Sequence, residues 1–255
     1  MCGIAGYSGN VASKADKLRL LWLLLQERGG DASGAAWYDG KKVWYSKKPG
    51  SPVDLLEATP KWWATAEYVM LHCRQATGGT PLENRNNHPI IAHGWAVTHN
   101  GIIWNDDEIP AKVRQTACDS EAINWMAKRY GLKDALVKEL LGWYTIAAVQ
   151  LAKPKTVYLY TEGEALYLAR EQDGVAWASE GRFLTIAGFR DIKQAEAGVL
   201  YKLQSGQMEQ ENIGLPEMGI PGYSYGTFGA TEGAEDVYAQ KQDSDPKGNY
   251  GVSSA

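Results

Sequence analysis

The sequence predicts an α+β protein whose helices and strands fall in separate blocks. Two helical blocks, at about residues 13–28 and 119–141, stand apart from runs of short strand-like segments. Between residues 143 and 203, short strands follow one another with a single helical turn at 182–187. Such segregation is typical of a layered α+β domain and argues against a regular βαβ alternation.

The first helix is predicted from apolar periodicity. After a short strand at residues 4–7, Ser13 is placed to cap a helix in which Leu18, Leu21, Trp22 and Leu25 recur at i, i+3, i+4 and i+7. This spacing predicts one buried helical face. The helix is expected to end near residues 28–30, where two glycines follow an arginine.

The following strands are predicted from alternation and turn residues. Strands at 35–38 and 42–46 flank Asp39-Gly40, a dipeptide suited to a tight hairpin. The segment 68–74 alternates between two faces and delivers Arg74 at its end. A polar loop at 77–87 leads to strands at 90–92 and 94–99, and the second is expected to stop at Asn100-Gly101.

The second half begins with helices and continues with strands. Asp119-Ser120 marks a helix start, Gly131 marks its end, and a second helix is predicted at 132–141. The later strands are predicted at residues 144–151, 156–161, 166–170, 175–178 and 199–203. Residues 1–213 are therefore expected to form one domain. Residues 214–255 are rich in Gly, Tyr and Ser, which predicts a disordered or partner-dependent tail.

Composition excludes several functional classes. A net charge of -4 and a pI near 5.7 give no excess of basic residues for nucleic acid or an anionic membrane. The apolar stretch 18–25 contains Arg19 and is shorter than the roughly 20 residues that span a bilayer. Three cysteines at unrelated spacings argue against a disulfide framework and favour a reducing, cytoplasmic location.

Cys2 is the first candidate catalytic residue. A small second residue allows Met1 to be removed, which would give Cys2 a free α-amino group. The α-amino group has a reference pKa of about 7.7–8.0 and the thiol one of about 8.5, so one residue could supply both nucleophile and base. Taken alone, a cysteine at position two is weak evidence for catalysis and is more often a small structural residue.

Binding and charge-stabilising groups occur further along. The planar guanidinium of Arg74 matches a carboxylate, and Thr77 could add a hydroxyl. Asp119 could pair with an ammonium group, and its simpler role, the N-cap of the following helix, is compatible with that pairing. Asn100 and the N–H of Gly101 could form an oxyanion hole, although Asn-Gly is also a common hairpin turn.

Together these pieces resemble the class II glutamine amidotransferases, the N-terminal nucleophile family of glutaminase domains. The resemblance covers residues 2 to about 203 and rests on seven segments in the family's order: 2–6 (CGIAG), 28–34 (RGGDASG), 72–77 (HCRQAT), 87–89 (NHP), 99–103 (HNGII), 119–121 (DSE) and 178–180 (ASE). It implies a four-layer αββα sandwich with two mainly antiparallel sheets between helices.

The resemblance also implies roles for single residues. Cys2 would be the nucleophile, Asn100 and Gly101 would bind the oxyanion, and Arg74 and Asp119 would bind glutamine. Arg28 would lie near the nucleophile and order the loop that covers the substrate. The chain departs from many members at Gly30 and Gly78, so the detail of the covering loops is expected to differ.

Other ligands are not expected. The four histidines lack zinc-ligand spacing, so no metal is predicted. The glycines around 29–34 and 78–79 do not match a phosphate-binding loop, so no ATP or other cofactor is predicted.

The predicted reaction is hydrolysis of L-glutamine to L-glutamate and ammonia through a Cys2 thioester. Only some forty residues follow the domain, so the ammonia is expected to pass to a separate synthetase or transferase subunit. Two alternatives stay open. The same apparatus could serve a stand-alone amidase for a γ-glutamyl or other amide, or the chain could be a non-catalytic binding subunit.

Overall fold

Two antiparallel sheets form the centre of the computed structural model, which describes residues 2–163 and 165–216. The strands are β1 (Gly3–Gly9), β2 (Ala32–Tyr38), β3 (Val43–Pro49), β4 (Tyr68–Arg74), β5 (Ile90–Ala92), β6 (Trp95–Ile103), β7 (Gly142–Gln150), β8 (Val157–Thr161), β9 (Tyr167–Glu171), β10 (Gly174–Ala178), β11 (Ile192–Gln194), β12 (Val199–Gln204) and β13 (Gln207–Asn212). The first sheet has the order β11-β9-β10-β1-β4-β2-β3, and the second β13-β12-β8-β7-β6-β5.

Helices cover the outer face of each sheet. They are α1 (Ala15–Leu24), α2 (Val53–Leu56), α3 (Thr59–Trp63), α4 (Glu121–Tyr130), α5 (Leu132–Asp134) and α6 (Gly181–Ile186). One buried cluster joins α1, α3 and α6 to the first sheet, a second lies between the sheets, and a third joins α4 to the second sheet. This layer order confirms the predicted four-layer αββα sandwich.

The first helix agrees with its periodicity but not with its predicted cap. Leu18, Leu21 and Trp22 are fully buried, because their spacing places them on one face. The chain enters through a 3-10 turn at Val11–Lys14, and Asn10 accepts the N–H of Ser13. The prediction that Ser13 caps the helix was therefore wrong, because the 3-10 turn begins before Ser13 and Asn10 caps it.

Two other predicted boundaries were wrong. Strand β6 continues through Asn100 and Gly101 to Ile103, since β7 pairs with it along its whole length. The helix predicted at 132–141 is only the short α5, followed by a π-helical turn at Ala135–Glu139. Of the predicted tail, only residues 214–216 are described, and the remainder lies outside the described residues.

Candidate active site

A narrow cleft opens at one end of the two sheets. It gathers Cys2, Arg74, Thr77, Gly101 and Asp119, all predicted from sequence. Further lining comes from residues to which the sequence assigned no role: Gln75, His88, His99, Cys118 and Ser120. Asn100 lies beside Gly101 on β6, and Arg28 contacts the backbone of Cys2. The structure thus brings together residues that are far apart in the chain.

Cys2 immediately precedes β1, whose pairing with β4 fixes its position. Its Sγ lies 3.4 Å from both the carbonyl oxygen and the N–H nitrogen of Gln75. Burial raises the pKa of the Cys2 thiol, against the lowering effect of the Gln75 N–H. The sulfur therefore rests as a thiol in this site and needs a base to become a nucleophile.

Arg28 anchors the main chain of Cys2. Its Nε donates to the Cys2 carbonyl at 2.8 Å, and its Nη1 lies 3.0 Å from Glu180. Arg182 in turn pairs with Glu180 at 2.6 Å and with Glu27 at 2.7 Å. This row of alternating charges holds the backbone of the candidate nucleophile from outside the cleft.

Asn100 and Gly101 lie inside a strand and do not form a hairpin. Gly101 has a φ of 129°, and an added Cβ would lie 1.9 Å from the Trp143 carbonyl oxygen, so only glycine fits there. Asn100 is 1% exposed, yet its Nδ2 has no hydrogen-bond partner among the described residues. A buried amide donor without an acceptor is unusual and suits a site where negative charge develops.

Arg74 is almost completely enclosed. Its Nη1 donates to Asn87 Oδ1 at 3.1 Å, and its Nη2 donates to the carbonyl oxygens of Gly78 and Gly79. Both terminal nitrogens thus already bind the loop that follows β4. A carboxylate in the cleft would share the guanidinium with this loop. Thr77 lies on the same loop, exposed at the rim.

Asp119 is held by the end of β6 and does not cap α4. Its Oδ2 accepts the N–H of Ile103 at 2.8 Å, and its Oδ1 lies 3.6 Å from the Cys118 thiol. The N-cap position of α4 is Ser120, which makes no side-chain cap. The capping interpretation was therefore wrong, because the neighbouring strand offers Asp119 a free N–H close to Gly101.

A buried polar cluster supports the cleft from behind. Ser120 Oγ lies 2.9 Å from His88 Nε2 and 2.7 Å from His99 Nδ1, and the His72 and His88 rings stack at 4.0 Å. Burial lowers the pKa of all three histidines, and that of His72 to about 3, so they are neutral at neutral pH. Within the described residues, no group of His, Cys, Asp or Glu could hold a metal ion.

Two further buried residues join the loops around the cleft. Asn86 donates to the Thr80 carbonyl and accepts the N–H of Ala117. Glu121, which is fully buried, accepts the N–H groups of residues 115 and 116 and pairs with His93 at 2.8 Å. Both sit in or beside motifs noted in the sequence, but their partners could not be identified from spacing.

The arrangement supplies the groups for attack on an amide. It has a thiol, an unpaired amide donor nearby, a guanidinium and a carboxylate around one small cleft. The last two match the carboxylate and ammonium groups of an amino acid.

Comparison with known proteins gives consistent results. The chain is 30% identical over 180 residues to the glutamine–fructose-6-phosphate aminotransferase (isomerizing) of Rhizobium meliloti, covering 65% of this chain and 29% of that protein. It is 26% identical over 228 residues to the amidophosphoribosyltransferase of Methanocaldococcus jannaschii, covering 82% and 48%. The chain thus spans between about a third and half of these relatives. No protein-family profile matches it.

Solved structures share the fold. The B. subtilis glutamine phosphoribosylpyrophosphate amidotransferase complexed with ADP and GMP aligns with a TM-score of 0.68 at 21% identity, over 84% of this chain and 49% of that one. A glutamine aminotransferase class-II domain protein from Silicibacter pomeroyi aligns with a TM-score of 0.55 at 15% identity, over 86% of this chain and 100% of that one. These likenesses confirm the N-terminal nucleophile hydrolase fold.

Within the described part of the chain, no helix has the length and apolar character to cross a membrane.

Proposed function

Because the chain belongs to the class II glutamine amidotransferases, we propose that it hydrolyses the side-chain amide of L-glutamine to L-glutamate and ammonia. One observation carries the proposal. The Cys2 thiol, Arg74 and Asp119 line a single cleft, beside which the buried Asn100 amide has no partner among the described residues. The thiol would attack the reacting amide, and the Asn100 amide would bind the oxyanion. Arg74 and Asp119 would bind the amino-acid head group.

In the proposed first step, the α-amino group of Cys2 acts as base after Met1 has been removed. It takes the thiol proton while Sγ bonds to the side-chain carbonyl carbon of glutamine. Burial raises the pKa of the thiol, so proton removal has to accompany the attack. Arg28, which binds the Cys2 carbonyl, keeps the residue oriented for this step.

The oxyanion then collapses and the C–N bond breaks, with the proton returned to the leaving ammonia. Water attacks the resulting thioester through a second oxyanion, which releases glutamate and restores the thiol. The Asn100 amide and the Gly101 N–H would stabilise both oxyanions. Throughout, Arg74 would bind the α-carboxylate, Asp119 the α-ammonium group, and Thr77 would contribute its hydroxyl at the rim.

We further propose that the ammonia serves a separate synthetase or transferase subunit. The proposal is supported by the names of the relatives, which denote transfer to fructose-6-phosphate or a phosphoribosyl group. A stand-alone amidase acting on a γ-glutamyl compound uses the same residues. Glutamate release that a co-purifying enzyme stimulates would favour the subunit, whereas release that no partner changes would favour the amidase. We place the protein in the cytoplasm, because its three cysteines are free.

The activity can be tested by glutamate release and by covalent labelling. We expect 6-diazo-5-oxo-norleucine, a glutamine-like electrophile, to label Cys2 and to abolish glutamate release. Cys73 and Cys118 provide internal controls, because burial raises the pKa of each thiol to about 12. Peptide mapping by mass spectrometry identifies the adduct. An adduct on Cys73, or no glutamate release, would contradict the proposal, and the second result would favour a non-catalytic binding subunit.

A further inference from the structure

Lys47 is partly buried and lines a cavity next to the segment that contains Asn87. It lies on β3 opposite Gly34, which is also paired with His72 on β4, so these three residues share one face of the first sheet. That face is the one that packs against the second sheet, as the burial of Ala36 and Tyr38 shows. Lys48, the next residue, points to the opposite face and pairs with Asp54.

The Lys47 ammonium group binds the same segment as Arg74. Its Nζ donates to the carbonyl oxygens of Asn87 and Pro89, at 2.7 and 2.9 Å. The side chain of Asn87 in turn accepts from Arg74. The backbone between them reaches this position because residue 34 is glycine: a Cβ there would lie 2.0 Å from the His88 carbonyl oxygen. Lys47 and Arg74 therefore hold one segment from two sides.

This pair of cations lacks an acidic partner. Ion pairs elsewhere join lysines and arginines to carboxylates, but none involves Lys47 or Arg74 within residues 2–163 and 165–216. Burial lowers the pKa of Lys47 to about 8, and the charge of Arg74 acts in the same direction. A buried and a partly buried positive charge without an ion-pair partner among the described residues are unfavourable and create a local preference for an anion.

We propose that Lys47 is a positioning and specificity residue for the α-carboxylate of the substrate. It acts through Arg74, with which it forms a positively charged unit, and the substrate carboxylate is the counter-ion that this unit lacks. The inference rests on the proposed glutaminase function and restricts it to amides that also carry a carboxylate.

The charge of Lys47 should appear in the pH dependence of binding. Facing groups are Arg74 on β4, His72 and His88, Cys118 before α4, and Tyr45 and Arg85, which line the same cavity as Lys47. The histidines stay neutral above pH 7, and the pKa of Cys118 is raised to about 12. A lysine is charged below its pKa. The positive charge is thus present below about pH 8 and is lost above it, so the KM for glutamine should rise as pH passes 8.

The test compares Lys47→Met, Lys47→Arg and the matched control Lys48→Met in the full chain. With L-glutamine, Lys47→Met should raise KM about 10-fold and leave kcat within about 2-fold, since the charge acts at a partly buried site. Lys47→Arg should keep a low KM and reduce the rise above pH 8, because arginine stays charged and only the loss of the substrate ammonium charge remains. Lys48→Met should behave like the wild type.

A substrate without the carboxylate separates charge from structure. For 4-aminobutanamide, Lys47→Met and wild type should have equal kcat/KM, because the interacting group is missing. If Lys47→Met is folded, equal losses for both substrates would overturn the inference. If it is poorly folded, an unchanged alkaline rise of KM in Lys47→Arg would overturn it.

Binding measured by calorimetry in the Cys2→Ala background keeps the two proposals apart. If L-glutamine binds about 10-fold more weakly to Cys2→Ala/Lys47→Met than to Cys2→Ala, the Lys47 inference holds, even if the wild type does not hydrolyse glutamine. Hydrolysis by the wild type combined with an unchanged affinity in this pair would retain the proposed function and reject the role of Lys47. Absence of glutamine binding would reject both.

Discussion

The two sides of the cleft differ in whether their buried polar side chains are hydrogen-bonded. On β6, the Asn100 Nδ2 is buried and has no partner among the described residues. On β4, Arg74 is equally enclosed, but both of its terminal nitrogens donate to the following loop. The exposed fractions are 1% and 2%, so solvent does not explain the difference.

The Asn100 donor is thus unused in the unliganded protein, whereas the Arg74 donors already bind the protein itself. Leaving a buried amide unpaired costs about 1–3 kcal/mol, which is reasonable where the donor is needed only when charge develops. Arg74, in contrast, stabilises the loop in the unliganded protein. Changes at Asn100 should therefore affect chemistry, whereas changes at Arg74 should affect both binding and the loop.

The backbone differs in the same way. Gly101 is fixed by its pairing with Tyr144 across the β6–β7 ladder. The loop after β4 is instead held by side chains, with Asn86 and Asn87 bonding to the backbone of residues 80 and 81. The proposed oxyanion side is thus determined by the sheet, and the proposed carboxylate side by individual hydrogen bonds.

The largest effect is expected at Cys2, on which both sides depend. Protein made with a cleavable leader before Cys2 should release glutamate at least about 10³-fold more slowly than the same protein after cleavage, because the leader converts the α-amino base into an amide. Glutamate release before and after cleavage measures this, and intact mass verifies the terminus. Full activity with the leader attached would exclude the N-terminal nucleophile mechanism.

Much of the fold and site followed from local patterns. The buried face of α1 was predicted from apolar spacing, and Arg74 was placed at the end of β4 by alternation. The wrong strand end at Asn100 has a specific cause. Asn-Gly favours turns in isolation, but nine consecutive pairings with β7 override that preference.

The remaining features depend on contacts between distant residues. The hydrogen bond from Lys47 to Asn87 spans 40 positions, and the one from His88 to Ser120 spans 32. No periodicity within one element identifies such partners. The polar cluster of His88, His99 and Ser120 therefore had no assigned role, although each residue lies in a motif that was recognised.

The second largest effect is expected at Asn100, where the loss of the donor should affect kcat and not binding or stability. Asn100→Ala should lower kcat for glutamine about 10²–10³-fold with little change in KM, because its donor acts mainly on the transition state. Asn124 is a matched control, since its Nδ2 is also buried but donates to three backbone carbonyls. Asn124→Ala should reduce the free energy of unfolding by about 1–3 kcal/mol, whereas Asn100→Ala should not. Steady-state kinetics and thermal melting distinguish them, and near wild-type kcat in folded Asn100→Ala would remove its role.

The smallest effect tests whether Arg74 combines loop support with carboxylate binding. Arg74→Lys keeps the charge but loses the planar fork, so one ammonium group cannot replace the bonds to Asn87, Gly78 and Gly79 while also binding substrate. We expect KM for glutamine to rise about 10-fold, kcat to change less, and Tm to fall by about 2–8 °C. The two consequences should be separable, because glutamine binds only the folded protein and should recover part of the lost Tm at saturating concentration.

If KM rises while Tm is unchanged, the loop does not depend on Arg74, and the difference between the two sides of the cleft would lie in substrate binding alone. If Tm falls while KM is unchanged, Arg74 is a structural residue, and the α-carboxylate must be bound elsewhere in the cleft.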